Sequence, residues 1–275
     1  MISNALPDPA AAAAFETAAW TFWALLGLCL GSFANVVIHR LPRGRSLVRP
    51  RSHCPRCRAT IAFYDNIPVL SWVLLRGRCR SCGKAVSWRY PLVELLSGAL
   101  ACAVWWRWHG QWAWAGAAFA AVLALLCVAF IDCDTFLIPD ELSLGLVGAG
   151  LLLSPLNPGL GSAAGTRVAA ALVGGLFGLG LCWGVAALGE WMFKREAMGV
   201  GDIKLLAGVG AWTGVLGAFD TLVAASFAGA AYGVYLIARG RLRRQDPIPF
   251  GPFLSAGAIL TLFYRLPFGF PFLSR

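Results

Sequence analysis

The chain predicts an all-α, polytopic membrane helix bundle of about eight spans, interrupted after the first span by one basic loop that carries four cysteines. Three observations predict it. Of 275 residues 59% are hydrophobic and 13% charged, with a mean hydropathy of +0.69, too apolar for a soluble globule with one core. The apolar residues fall in runs close to the roughly 20 residues that cross a hydrocarbon core. The basic residues gather between alternate runs.

The spans are placed at Trp20–Ile38, Leu92–Trp108, Trp112–Ile131, Leu142–Leu156, Val168–Leu188, Ile203–Phe219, Thr221–Ala238 and Pro249–Tyr264. The fourth is the shortest. Pro, Asp, Ala and Glu precede the first run, and no small-residue cleavage site follows it, so a removable signal peptide is not expected. The organisation is then a non-cytoplasmic tail at 1–19, a first span at 20–38, a cytoplasmic loop at 39–91 and a seven-span core at 92–275.

With the N-terminus outside, 19 of the 23 lysines and arginines fall on one side, 12 of them between Arg40 and Arg89. Positive loops stay cytoplasmic. The net charge of +10 is therefore topology plus attraction to the anionic lipid bilayer, and no aromatic interleaving points to a nucleic-acid partner.

This charge count brings two carboxylates to one membrane face. Asp132, in Ile131-Asp132-Cys133-Asp134, ends a span entering the cytoplasm, and Asp202, in Gly199-Val200-Gly201-Asp202-Ile203-Lys204, opens a span leaving it. Carboxylates at such depth face a bundle interior or a water-filled cavity. Two sharing a site hold a single proton, so that one can deprotonate water while the other protonates an amide carbonyl. Gly199 and Gly201 leave room for an extended substrate backbone. Lys204 has two readings, a substrate-binding or charge-tuning group and a snorkelling anchor. Asp134 is a near-site candidate beside Asp132, and both it and Asp140 have a second reading as solvated or capping groups.

Cys54-x-x-Cys57 and Cys79-x-x-Cys82 lie in the basic loop. Two such pairs supply four thiolates for a tetrahedral structural Zn2+, and a metal would provide folding energy that a loop of this size lacks. His53 is left outside the ligand set. The other five cysteines read as apolar packers.

The residues resemble the type IV prepilin peptidases, membrane aspartic proteases of the Gly-x-Gly-Asp type. The resemblance rests on Gly31-Ser32-Phe33-Ala34-Asn35-Val36-Val37-Ile38-His39-Arg40-Leu41-Pro42, on Asp65-Asn66-Ile67-Pro68-Val69-Leu70-Ser71-Trp72 and on Arg89-Tyr90-Pro91-Leu92-Val93-Glu94. It rests also on the two Asp motifs and on Ile138-Pro139-Asp140. It implies an enzyme of the bacterial inner membrane, its active site facing the cytoplasm, that cleaves the leader of prepilins or pseudopilins. The enzyme then N-methylates the new N-terminus with S-adenosyl-L-methionine, in service of type IV pili or type II secretion. It implies that Asp132 and Asp202 are catalytic, and Asp132 is preferred over Asp134 because related preflagellin peptidases place the first Asp seven residues before this proline.

No Gly-rich fingerprint of a soluble methyltransferase occurs. Through the resemblance, Gly31, Asn35, Arg40, Asp65, Asn66 and Glu94 become candidates for methyl transfer. Each has a structural reading beside it: a bond across helices for Asn35, a turn for Asp65-Asn66, helix-dipole complementarity for Glu94. Two rival functions stand: a peptidase without methyltransferase activity, and a proton-coupled transporter, since intramembrane Asp pairs also carry protons.

Overall fold

The computed structural model describes residues 9–194, 198–241, 243, 246–264, 266 and 268. Its helices are α1 (Pro9–Arg40), α2 (Leu70–Leu74), α3 (Arg89–Arg107), α4 (Trp112–Thr135), α5 (Asp140–Leu153), α6 (Ala164–Phe193), α7 (Val200–Ala238) and α8 (Gly251–Phe263). Among the described residues there is no strand, only two isolated antiparallel bridges. The all-α expectation holds, although α1 begins at Pro9, inside the expected tail. Of the polar residues assigned to loops, Arg195, Glu196, Arg244, Arg265 and Arg275 lie outside the described residues.

Helices α1, α4, α6 and α7 are long and apolar enough to cross a membrane, and α8 is a shorter apolar helix. Helix α3, which carries Arg89, Glu94 and Arg107, is not among them. It runs antiparallel beside α1: Glu16 meets His109, Trp23 stacks on Trp105, Gly27 faces Gly98 and Ala101, and Gly31 faces Glu94 and Ser97. A Cβ at Gly31 would stand 2.7 Å from Ser97 Cβ and 2.8 Å from Glu94 Cα. The Gly27-x-x-x-Gly31 spacing thus lets the two backbones touch, as small residues do between membrane helices. Packing on α1 gives α3 an apolar partner along its length.

The chain forms two compact units. One holds α1, α2, α3 and the cysteine loop, and the other holds most of α4 with α5 to α8. In the second unit, Gly174 and Gly178 of α6 lie against the α7 backbone at Gly210, Gly214, Leu206 and Ala207, the close approach that their spacing predicts. Gly229 and Gly233 serve differently: they receive the side chains of Phe253 and Ile248 rather than another backbone.

The 39 residues of α7 would extend about 58 Å as one straight helix, nearly twice a hydrocarbon core. The helix is broken at Gly214, with φ 74° and ψ −173°, a conformation essentially restricted to glycine. The break frees carbonyls, and Asn157 Nδ2 donates to Trp212 O at 2.7 Å. Both expected runs, Ile203–Phe219 and Thr221–Ala238, thus fall within α7, and the break comes before the boundary expected between them. Asp220, which falls between the two expected runs, is buried inside the second half.

Candidate active site

Asp132 lies in the last turn of α4, only 5% exposed. Its Oδ2 accepts the backbone N–H of Gly251 at 2.8 Å. Gly251 is the first residue of α8, so a free helix-terminal donor is spent on the carboxylate. A Cβ there would lie 2.8 Å from that oxygen and 3.0 Å from Asp132 Cγ; only glycine leaves room. Past Asp132, α4 ends at Phe136, whose φ is +53° and whose N–H donates to Asp132 O. The chain turns there into Ile138-Pro139.

Asp202 enters from the first turn of α7, its N–H closing on Gly199 O at 3.1 Å. It is half-buried and close enough to Asp132 for the two charges to interact. Gly199 is exposed beside the Asp202 carboxylate, consistent with open space for a substrate. Gly201 has another cause: a Cβ would meet Ile138 Cβ at 2.9 Å, so this glycine seats α7 on the Ile138-Pro139 element that follows Asp132.

Lys204 is paired. Its Nζ lies 2.7 Å from Asp140 Oδ1, tying α7 to the first turn of α5. Asp134 is exposed at the end of α4, as is Cys133.

In the first unit the four cysteines converge. The Sγ atoms of Cys54, Cys57, Cys79 and Cys82 all lie within 4.8 Å of one another, with Cys54 and Cys82 at 3.9 Å. A tetrahedral zinc with bonds near 2.3 Å sets its sulfurs about 3.8 Å apart, so this donor set fits the ion. Two equivalent turns build it. Cys54 N–H bonds Ala59 O and Arg58 N–H bonds Cys54 O, while Cys79 N–H bonds Lys84 O and Gly83 N–H bonds Cys79 O. Arg58 and Gly83 both take positive φ. The bridges His53–Thr60 and Arg78–Ala85 complete a repeat of one knuckle 25 residues along the chain, which the cysteine spacing alone did not disclose.

Backbone hydrogen bonds from Cys57 and Arg56 draw the Cys54 thiol down to about 6. At Cys82 the backbone N–H near Lys84 pulls downward, but burial and the neighbouring thiols prevail and push it up to about 11. His53 bonds Arg51 O and is exposed, outside the thiol cluster. Of the remaining cysteines, Cys127 and Cys182 are buried as expected, whereas Cys29 and Cys133 are exposed and pack no core.

The methyl-transfer candidates also find partners. Gly31 is a helix contact. Asn35 Nδ2 donates to Tyr90 O at 3.1 Å, joining α1 to the start of α3. Arg40 donates to Ser46 O and Pro50 O, folding the loop back on the end of α1. Asp65 accepts two bonds from Arg80 at 2.7 and 2.8 Å, and this guanidinium holds its carboxyl below the usual range. Asn66 is exposed in the turn Phe63–Asn66. Glu94, buried in α3, accepts Val69 N–H through Oε2 at 2.7 Å.

Comparison with known proteins decides the family. Residues 25–108 match the Bacterial Peptidase A24 N-terminal domain, and residues 118–234 match the Type IV leader peptidase family. The chain is 40% identical over 276 residues to the prepilin leader peptidase/N-methyltransferase of Burkholderia pseudomallei, covering 90% of this chain and 86% of that one. This chain belongs to the type IV leader peptidase family. The identically named proteins of Aeromonas salmonicida and Myxococcus xanthus are 36% and 43% identical, over 89% and 80% of this chain and 91% and 64% of theirs. No solved structure matches significantly. Within this leader peptidase the two matched regions follow the two compact units closely, the cysteine module in one and both candidate aspartates in the other.

Proposed function

We propose that this protein cleaves the leader of type IV prepilins or pseudopilins at the cytoplasmic face of the bacterial inner membrane and N-methylates the exposed residue. What supports the peptidase is the placement of two carboxylates in one unit, Asp132 buried at the end of α4 and Asp202 in the first turn of α7, near enough for their charges to interact, with Gly201 packed on the Ile138 that follows Asp132. One carboxylate takes a proton from water while the other gives its proton to the scissile carbonyl. The hydroxyl then bonds to the carbonyl carbon. Collapse of the adduct breaks the C–N bond: the proton first taken from water passes to the leaving amine, and one hydroxyl of the adduct returns a proton to the other carboxylate as the C=O bond reforms. Gly199, open beside Asp202, admits the extended backbone, and the Gly251 N–H holds Asp132 in place.

The relatives' shared name supports the second activity. S-adenosyl-L-methionine would supply an electrophilic methyl group, and the new N-terminal amine would receive it with loss of a proton. The unit carrying Asn35, Arg40, Asp65, Asn66 and Glu94 is where we place that step. Cys54, Cys57, Cys79 and Cys82 would hold a structural Zn2+, whose role there is to fix the two knuckles rather than to activate water.

The test is mass spectrometry of a purified prepilin incubated with this protein and S-adenosyl-L-methionine in lipid vesicles. A shortened product bearing one added methyl group supports both activities. Cleavage without methylation removes the transferase, and vectorial proton uptake without any new peptide end would favour the transporter.

A further inference from the structure

Helix α2 is inside out. Its serine is buried, with Ser71 at 7% exposure, while Leu70, Val73 and Leu74 stand 51%, 56% and 71% exposed. Phe63, Tyr64 and Ile67, just before it, are exposed as well. In water, such a segment would present apolar surface with no return for it.

Its depth resolves the matter. The segment is pinned by Val69, which takes φ +60° and ψ −51°, a strained conformation for a β-branched residue. Leu70 N–H closes a tight turn on Pro68 O, and Val69 N–H is held by the buried Glu94 carboxylate at 2.7 Å. Ser71 Oγ donates to Tyr64 O, fastening the preceding turn to the same anchor. Glu94 in turn lies against Gly31, seven residues before Ile38, where the apolar run of α1 ends. At 1.5 Å per residue that is about 10 Å inside the run. Helix side chains lean toward the helix N-terminus, which would bring α2, held by Glu94, to the boundary of headgroups and acyl chains. Arg76 and Arg78 follow it directly, as suits a segment lying on anionic lipid.

We propose that residues 63–74 form an in-plane membrane anchor, with Leu70, Val73 and Leu74 seated among the acyl chains of the cytoplasmic leaflet. The basic loop is thus not wholly aqueous. Its cysteine module is held against the bilayer surface at a height set by the Glu94–Val69 bond, and this holds whether or not the chain methylates anything.

The test places the photo-crosslinker p-benzoylphenylalanine at Leu74, Val73 or Leu70 in the full chain, reconstituted in vesicles of phosphatidylethanolamine and phosphatidylglycerol, with Val48 as the control. Val48 is equally apolar and 81% exposed, but it lies in the stretch that Arg40 folds over the end of α1. All four side chains are exposed, so substitution leaves the core intact. Lipid adducts at the three α2 positions and their loss at position 48 support the anchor. Equal labelling at position 48, or no lipid adduct at any α2 position, overturns it. If α2 crosslinks only to added prepilin, the surface belongs to the substrate and the anchor is again overturned.

Discussion

The carboxylate of Asp132 and the backbone amide of Gly251 are joined by a 2.8 Å hydrogen bond, and the same approach leaves no space for a side chain on residue 251. One of the two candidate catalytic carboxylates is therefore held by the first residue of a helix that begins 119 residues further along the chain. The positions of α4 and α8 matter to the chemistry as much as the identity of the aspartate does.

Replacing Gly251→Ala should move Asp132 by a fraction of an ångström or more. Misplacement of a reacting group on the scale of 1 Å can lower the rate about a hundredfold. Cleavage should fall by that order in kcat, with methylation of a pre-cleaved peptide unchanged. Gly229→Ala is the matched control, since a Cβ there meets Phe253 at an ordinary 3.5 Å.

The Lys204–Asp140 pair is partly exposed on both sides, at 32% and 59%, and such pairs contribute about 0–1 kcal/mol. Lys204→Met and Asp140→Asn should each leave cleavage within about fivefold of the parent. A loss in Lys204→Met that Asp140→Asn does not share would restore a direct role for the lysine.

Much of this site was legible because the residues announce themselves. Asp132 and Asp202 are rare charges in apolar runs, four cysteines in two Cys-x-x-Cys pairs leave few arrangements, and Gly174 and Gly178 show their helix contact by spacing. Gly251 was not legible: its importance is a contact across 119 residues, and a glycine before a proline reads as a turn. The break at Gly214 was hidden because hydropathy continues through it. The packing of Gly201 on Ile138 could not be separated from substrate access by composition. Nor could the sequence show that Glu94 reaches Val69, because a carboxylate at a helix start has a sufficient local explanation in the helix dipole.

Glu94→Ala should leave the Val69 N–H without its acceptor, which costs about 1–3 kcal/mol for a buried donor. The strained turn should relax, and methylation should fall while cleavage persists. Glu94→Gln keeps an acceptor oxygen and should restore a large part of the methylation. Parallel assays on a pre-cleaved and an intact prepilin separate the two effects.

The cysteine module should bind one zinc ion per chain, measured by elemental analysis, and lose it in Cys57→Ser. In the metal-free module at pH 7, Cys54, drawn down to about 6, is a thiolate, while Cys82, pushed up to about 11, is still a thiol. Metal capture must therefore release the Cys82 proton, and below about pH 6 it must displace the Cys54 proton as well. The contribution of Cys54 to metal-free folding has the sign of a lowered pKa: it is complete above the unfolded value and lost as pH falls through about 6. Zinc affinity should weaken on acidification, more steeply below about pH 6 where a further proton must be displaced, and an affinity independent of pH would contradict the thiolate set.

The most direct test of the aspartyl pair is the cleavage of a purified prepilin, read by mass spectrometry, in Asp132→Asn, Asp202→Asn and Asp134→Asn, each reconstituted and shown to keep its fold. The pair predicts that the first two variants produce no new peptide end while Asp134→Asn cuts like the parent. Cleavage by Asp132→Asn together with its loss in Asp134→Asn would contradict the assignment.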